Sequence, residues 1–282
     1  MAAAQQRTPG IIGPALLFAP ANRPEIFAKA AKIADTVILD LEDGAGNIDR
    51  GEAYENIRQA NLDPTRTIVR IVGPDDPHFV RDVDFVSTLE YDTIMIPKIR
   101  ASLPAVEKKI IAMVETPQAV LHLANLVAET RLVGLLWGAE DLTMELGGTH
   151  SRYGTDEQNS GMYRETMRFA RTLMHFHAQA AGIMSFDAVY ADFNDAEGLK
   201  AEALDAARSG FSGTACIHPR QVAIIQQAYY PTEEQRAWAQ KVVDKAEHYP
   251  GAFQLEGEMI DAPLIAQAHR VVARAKAGNA EG

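Results

Sequence analysis

Thr36-Val37-Ile38-Leu39-Asp40-Leu41-Glu42-Asp43-Gly44 is an apolar run that ends in a burst of acid. A run that is continuously apolar, rather than alternating, is what a strand needs when both faces of a parallel sheet are covered. Working outward from it, seven more short runs of the same kind stand out: Ala15–Ala19, Thr67–Val72, Thr93–Pro97, Ile110–Val114, Leu132–Trp137, Ile183–Val189 and Gly213–Ile217. Helical patterns lie between most of them, at Arg23–Ile33, Gln118–Glu129, Met162–Ala181 and Ala196–Ser209. Strand–helix alternation repeated in this way predicts the α/β class and a (β/α)8 (TIM) barrel, with a doubly wound sheet as the rival architecture.

Two places break the rhythm. Arg100–Lys109 contains Pro104 and has room for only about two helical turns. Glu145–Gly161 is a long insertion rich in Gly, Ser, Thr and Asn, of the kind that usually carries function or lacks order. After Tyr230–Pro231 the pattern changes again. Thr232–Glu247 reads as a helix opened by a Thr-Glu-Glu cap, Gly251–Gly257 as a turn or hairpin, and Ala262–Ala277 as a final amphipathic helix. The expected organisation is therefore a barrel over residues 1–230 and a C-terminal lid or subunit-contact segment over 231–282.

Composition narrows the function. A net charge of -11 leaves no basic surplus to neutralise phosphates, which argues against a nucleic-acid protein. An anionic small molecule is still compatible, if a few Arg or Lys residues and a metal are gathered in one site. Cys216 is the single cysteine, so neither an internal disulfide nor a cysteine zinc site is expected. No apolar run approaches a membrane span, and MAAAQQRTPG at the start reads as a loose leader without the apolar core of a secretory signal. A cytoplasmic enzyme is the expectation.

A barrel of this type places its active site at the carboxyl ends of the strands, and there the runs turn polar. Asp40, Glu42 and Asp43 end the second, Arg70 lies in the third, Lys98 ends the fourth and Glu115 the fifth. Gly138-Ala139-Glu140-Asp141 follows the sixth, Asp187 lies in the seventh and His218-Pro219 ends the eighth. Glu115 and Asp141 are the metal candidates, because two carboxylates without nearby His or Cys suit a hard, oxygen-seeking ion such as Mg²⁺, with Mn²⁺ as the alternative. The competing reading has each carboxylate capping a helix or pairing with Arg70 or Lys98.

Asp43 could hold a metal-bound water or orient Arg70, while Asp40 reads as a structural partner. Gly138, Ala139 and Glu140 lead into a helix whose N–H groups could take a substrate carboxylate. Arg23, just past the first strand, could reach substrate or merely cap its loop. His218 is open between general base and structural residue; His122, His150, His175 and His177 show no ligand spacing, and Met113 and Met144 read as packing.

Several of these strings resemble the citrate lyase β-subunit-like enzymes together with malyl-CoA and citramalyl-CoA lyases, within the HpcH/HpaI aldolase superfamily. They run from Leu17-Phe18-Ala19-Pro20-Ala21-Asn22-Arg23-Pro24-Glu25 through Leu39-Asp40-Leu41-Glu42-Asp43, Val69-Arg70-Ile71 and Ile96-Pro97-Lys98. Val114-Glu115-Thr116, Trp137-Gly138-Ala139-Glu140-Asp141-Leu142, Cys216-Ile217-His218-Pro219 and Gly257-Glu258-Met259-Ile260-Asp261-Ala262-Pro263 continue the match. The chain departs from the pattern in the short Arg100–Lys109 segment and at Ala45-Gly46.

The resemblance implies a barrel that binds Mg²⁺ through Glu115 and Asp141, with Arg70 as the essential arginine; Lys98 and Arg23 are expected near the substrate from their places at strand ends. It also implies a C-terminal lid bearing a catalytic Asp261, closing over a neighbouring subunit of a trimer or hexamer. The activity implied is carbon–carbon cleavage of a β-hydroxyacyl-CoA thioester to a 2-oxo acid and an acyl-CoA. Thioester hydrolysis on the same site, an aldolase acting on free hydroxy-oxo acids, and a carrier-protein-dependent citrate lyase subunit are the alternatives.

Overall fold

The computed structural model describes residues 13–46, 48–249 and 251–279, so the expectation about the opening ten residues lies outside the described part. Eight parallel strands close into a barrel in chain order: β1 Ala15–Pro20, β2 Thr36–Asp40, β3 Thr67–Arg70, β4 Thr93–Ile96, β5 Lys109–Val114, β6 Leu132–Trp137, β7 Met184–Asp187 and β8 Gly213–Cys216. β8 pairs back onto β1, Ala15 opposite Thr214, which removes the sheet edges and rules out the doubly wound rival. The barrel interior is filled by Leu16, Ile38, Ile68, Met95, Ile111, Met113, Leu136, Phe186 and Ala215. Side chains alternate with a period of two, so the same series continues from Ile38 to Asp40 and Glu42, from Ile68 to Arg70, and from Met113 to Glu115. The filled core thus hands over to charge at one end of the barrel.

The helices on the outside follow the sequence with instructive exceptions. α1 (Phe27–Ile33) starts after a 3-10 turn at Pro24–Ile26. α2 (Arg50–Arg58) is capped by Asp49, which accepts from Gly51 and Glu52 N–H, and α3 (Phe79–Ser87) follows β3. No helix forms between β4 and β5: the carbonyls of Pro104 and Val106 are taken by the Arg131 guanidinium instead. The single helix expected at Gln118–Glu129 divides at His122 into α4 (Pro117–Leu121) and α5 (Leu123–Ala128). α6 (Ala139–Glu145) follows β6 directly, α7 is Glu165–Ala181, and α8 (Ala196–Ser209) ends at a left-handed Gly210. α7 begins later than the pattern suggested because Tyr163 bridges to Arg152 within the insertion. α9 (Pro219–Tyr229) follows β8.

The chain divides after Ile225 into two compact units. In the second, α10 (Glu233–Ala246) is opened by a capping box that Thr232 closes with Gln235 rather than with a glutamate. β9 (Phe253–Leu255) and β10 (Glu258–Ile260) form an antiparallel hairpin whose turn residues Glu256 and Gly257 both have positive φ, 50° and 92°. That is the left-handed pair a tight hairpin turn demands. α11 (Ala262–Asn279) completes the unit, whose core gathers Ala239, Val242, Phe253, Ile260 and Ala268. No helix among the described residues is long and apolar enough to cross a membrane.

Candidate active site

A cavity of about 370 Å³ opens at the carboxyl ends of the barrel strands. Phe18, Met113, Leu136 and Trp137 form its apolar floor, and Asp40, Asp43, Arg70, Glu115 and Gly138 to Asp141 line its rim.

Arg70 is the most tightly held of these. Its Nε and one terminal nitrogen donate to the two oxygens of Asp40, each at 2.7 Å, and the other terminal nitrogen lies 2.8 Å from Glu42 and 3.9 Å from Asp43. The guanidinium carbon also sits 4.6 Å from the Phe18 ring centroid. Burial works against its charge, but the carboxylates of Asp40, Glu42 and Asp43 outweigh that and hold it protonated. Asp40 is itself fixed by the N–H groups of Glu42 and Gly44, at 3.0 and 2.9 Å. A Cβ at position 44 would fall 2.4 Å from the Asp40 carboxylate, so only glycine lets the chain turn this closely over it.

Glu42 joins the pair to β4. One of its oxygens accepts from the Lys98 ammonium, and the other contacts Arg70 without hydrogen-bond alignment. Burial raises its pKa. Lys98 occupies the left-handed region at φ 53°, unusual for a side chain with a Cβ. This conformation lets its N–H donate to Glu115 at 2.7 Å while its ammonium reaches Glu42 and lies 3.8 Å from Asp141.

Glu115 is the anomaly. It is 1% exposed, and its Oε2 is buried with no hydrogen-bond partner. Burial, reinforced by the charge of Asp141, pushes its pKa up to about 8. A Cβ at position 138 would lie 2.4 Å from that same oxygen, so Gly138 is the close approach that makes room for it. Asp141 stands in the first turn of α6, where the N–H groups of Ala139, Glu140 and Asp141 have no helical partner and no side chain caps them. The Gly138 N–H, by contrast, is already used by the Val114 carbonyl at 3.2 Å.

A hard divalent cation fits this donor set. Two carboxylates and no nitrogen or sulfur ligand converge, one Glu115 oxygen is orphaned, and Arg70 and Lys98 are held closely by Asp40 and Glu42, so Asp141 has only a 3.8 Å contact with Lys98 and Glu115 has no cation partner. Among the described residues no group of three or more His, Cys, Asp or Glu gathers as a ligand set. An ion held here would keep positions for water and substrate, as Mg²⁺ typically does.

The remaining expected residues are dispersed. Asp43 lines the rim with a mostly exposed carboxylate. Glu140 accepts from the Ser151 hydroxyl at 2.6 Å and thereby ties down the insertion. Arg23 pairs with Glu25 at 3.1 Å on the surface and does not line the cavity. His218 stacks on Phe193 and accepts from the Arg220 N–H. Asp187 is buried, accepts from two of the three Arg171 guanidinium nitrogens at 2.9 and 2.8 Å, and accepts from the Trp137 indole at 2.6 Å. It therefore fixes the cavity wall. Asp261 belongs to the second unit, exposed at the opening of α11, where its backbone carbonyl accepts from Ile265. Glu42, to which the sequence reading assigned no role, could have been found from parity: it stands two residues beyond Asp40 on the inward series.

Comparison with known proteins shows the family. The model of the HpcH/HpaI aldolase/citrate lyase family matches residues 15–107 and 103–219. The citrate lyase subunit beta-like protein of Mycobacterium tuberculosis is 41% identical over 272 residues, covering 95% of this chain and 98% of that protein. The L-malyl-CoA/beta-methylmalyl-CoA lyase of Rhodobacter capsulatus is 32% identical, covering 96% and 97%. Among solved structures, Mycobacterium tuberculosis CitE in complex with magnesium, acetoacetate and coenzyme A superposes with a TM-score of 0.83 at 40% identity, covering 95% of this chain and 99% of that one. The chain belongs to the HpcH/HpaI aldolase/citrate lyase family.

Proposed function

We propose that the protein is a Mg²⁺-dependent carbon–carbon lyase that cleaves, or in reverse forms, a β-hydroxyacyl-CoA of the malyl-CoA or citramalyl-CoA type. The observation that carries this reading is the orphaned Oε2 of Glu115 beside Asp141, next to carboxylates that Arg70 and Lys98 already hold. Magnesium-bound and CoA-bound relatives support the cofactor and the thioester, and the malyl-CoA lyase relatives support the substrate class.

Glu115 and Asp141 would hold the ion, which supplies a Lewis acid that acidifies the substrate hydroxyl and polarises the 2-oxo product's carbonyl. Cleavage would release the proton of that hydroxyl to solvent and move the C–C electron pair onto the thioester, giving a 2-oxo acid and a thioester enolate whose carbon then takes up one proton to give the acyl-CoA. Arg70, locked by Asp40 and Glu42, offers its remaining N–H groups to the oxygen where that charge develops, with no reorganisation needed at the moment of reaction. The apolar floor of Phe18, Met113, Leu136 and Trp137 excludes water from the enolate. Asp43 helps orient Arg70, and Lys98 and the first-turn amides of Ala139 and Glu140 meet the acid group of the substrate. Proton transfer at the enolate carbon falls to Asp261, by resemblance.

A homo-oligomer, trimer or hexamer, is part of the same proposal. Phe169 and Phe176 support it: they lie two helical turns apart on one face of α7 and are 63% and 68% exposed, an apolar stripe that a second copy would cover. The deciding assay offers malyl-CoA, citramalyl-CoA and free 4-hydroxy-2-oxo acids to the purified protein, with and without EDTA. EDTA-sensitive release of a 2-oxo acid and an acyl-CoA is expected. Cleavage of the free acids alone, or activity indifferent to EDTA, would remove the proposal.

A further inference from the structure

Behind Arg70, on the side away from the cavity, α2 and α3 close a ring of hydrogen bonds. Asp82 of α3 is fully buried and lines no part of the cavity. Its two oxygens accept from Arg50 at 3.0 and 2.6 Å, from the Tyr54 hydroxyl at 2.6 Å and from the Val72 N–H at 3.2 Å. Arg50 in turn donates to the carbonyl of Leu41, and the Leu41 N–H donates to the carbonyl of Arg70 at 2.9 Å. The path therefore runs from Asp82 through Arg50 to Leu41, across to Arg70, along the chain to Val72, and back to Asp82.

Leu41 lies between Asp40 and Glu42, the two carboxylates that grip the Arg70 guanidinium, and Val72 is two residues beyond Arg70. We infer that Asp82 is a positioning residue for Arg70, setting through Arg50 and Val72 the backbone from which both the guanidinium and its carboxylate clamp project. A buried, four-times-satisfied carboxylate is far more than the packing of α2 and α3 against the barrel would require, because an apolar contact there would avoid the desolvation altogether. Tyr54 belongs to the device: its ring stacks on Phe85 at 4.2 Å, and burial together with Asp82 pushes its pKa up to about 12, so it stays a donor.

The inference rests on the proposed role of Arg70, and the experiment separates the two. The full chain is labelled with ¹⁵N-arginine, and the Arg70 Nε–Hε signal is identified by its absence in Arg70→Lys. Asp82→Asn and Tyr54→Phe are then compared with wild type for that signal, for kcat and for KM. In Asp82→Asn the signal should shift or broaden and kcat should fall about 10–100-fold, as for other residues that orient a functional group from behind, with KM within about threefold. Tyr54→Phe, which removes one hydrogen bond and leaves the fold intact, should move the signal the same way and lower kcat by about threefold to tenfold. An unmoved Arg70 signal with wild-type kcat in either folded variant would overturn the inference. Should wild type itself lack lyase activity, the proposed function fails while the Arg70 signal still decides whether Asp82 positions it.

Discussion

Around the ends of β2, β3 and β4 every buried charge has a close opposite partner, whereas at the ends of β5 and β6 Glu115 pairs with no cation and Asp141 has only the Lys98 ammonium at 3.8 Å. Asp40 and Glu42 are matched by Arg70 and Lys98 in contacts of 2.7 to 2.8 Å where Arg70 is concerned. Glu115 keeps one buried oxygen empty and has its pKa raised by burial and by Asp141. The first half is finished by folding and presents one cation in a fixed direction. The second keeps Glu115 protonated to about pH 8 when no cation is bound, because burial and Asp141 raise its pKa. Preorganised charge on one side and the proposed cation site on the other are what enolate-forming chemistry asks of a protein.

If the halves differ in this way, mutations should separate activity from stability. Glu115→Ala, Asp141→Ala and Arg70→Ala should each reduce kcat/KM by about 10²–10³-fold or more. In EDTA their stabilities should diverge. Arg70→Ala strands Asp40 and Glu42 and should cost about 3–5 kcal/mol by denaturant unfolding, whereas Glu115→Gln removes a strained carboxylate and should stabilise the metal-free protein. Equal destabilisation by both would break the contrast. Gly138→Ala attacks the same half from the backbone, since its Cβ would meet the Glu115 oxygen at 2.4 Å. It should lower kcat by about tenfold or more while circular dichroism stays that of wild type.

In both halves the charged strand ends are legible in the sequence. Apolar runs ending in Asp40, Arg70, Lys98 and Glu115 gave away the barrel and its catalytic end, because strands buried on both faces leave few places for charge. What the pattern could not yield was pairing. Asp187 looks like another strand-tip acid, yet it serves Trp137 and Arg171. Asp82 sits in a helix, outside any strand-tip search, although it braces Arg70. The missing helix before β5 depends on Arg131, more than twenty residues away, taking the loop's carbonyls. Such long-range partners follow from tertiary approach and leave no local periodicity.

The pH dependence sharpens the unfinished half. Glu115 in the folded, metal-free protein titrates near 8, above its ordinary 4.5. The folded state therefore holds a proton that the unfolded state has lost, and stability should decline as pH rises from about 4.5 through 8. Bound Mg²⁺ requires the carboxylate form, so its affinity should rise over the same window and its binding should release protons. Thermal unfolding at pH 5.5 and 8, with and without Mg²⁺, should show metal stabilisation that is greater at pH 8. Titration calorimetry at pH 7 in two buffers of different ionisation enthalpy should show proton release that Glu115→Gln abolishes. A pH-independent metal effect would mean that some other group holds the ion.

Arg23 gives the smallest effect and tests where the site ends. Its guanidinium is largely exposed, pairs with Glu25 and does not line the cavity. A solvent-screened pair of this kind contributes little to folding, so the Tm of Arg23→Ala should match that of wild type. If Arg23 meets the substrate at all, it meets a part that does not react, and such contacts are made equally in ground and transition states. KM for the CoA thioester should then rise by about threefold to tenfold with kcat unchanged. The same substitution should leave cleavage of a truncated thioester lacking the nucleotide portion unaffected, which separates an anchoring contact outside the cavity from a capping role in the β1 loop. A fall in kcat would place Arg23 with Arg70, in the half where charge is already committed to the reacting atoms.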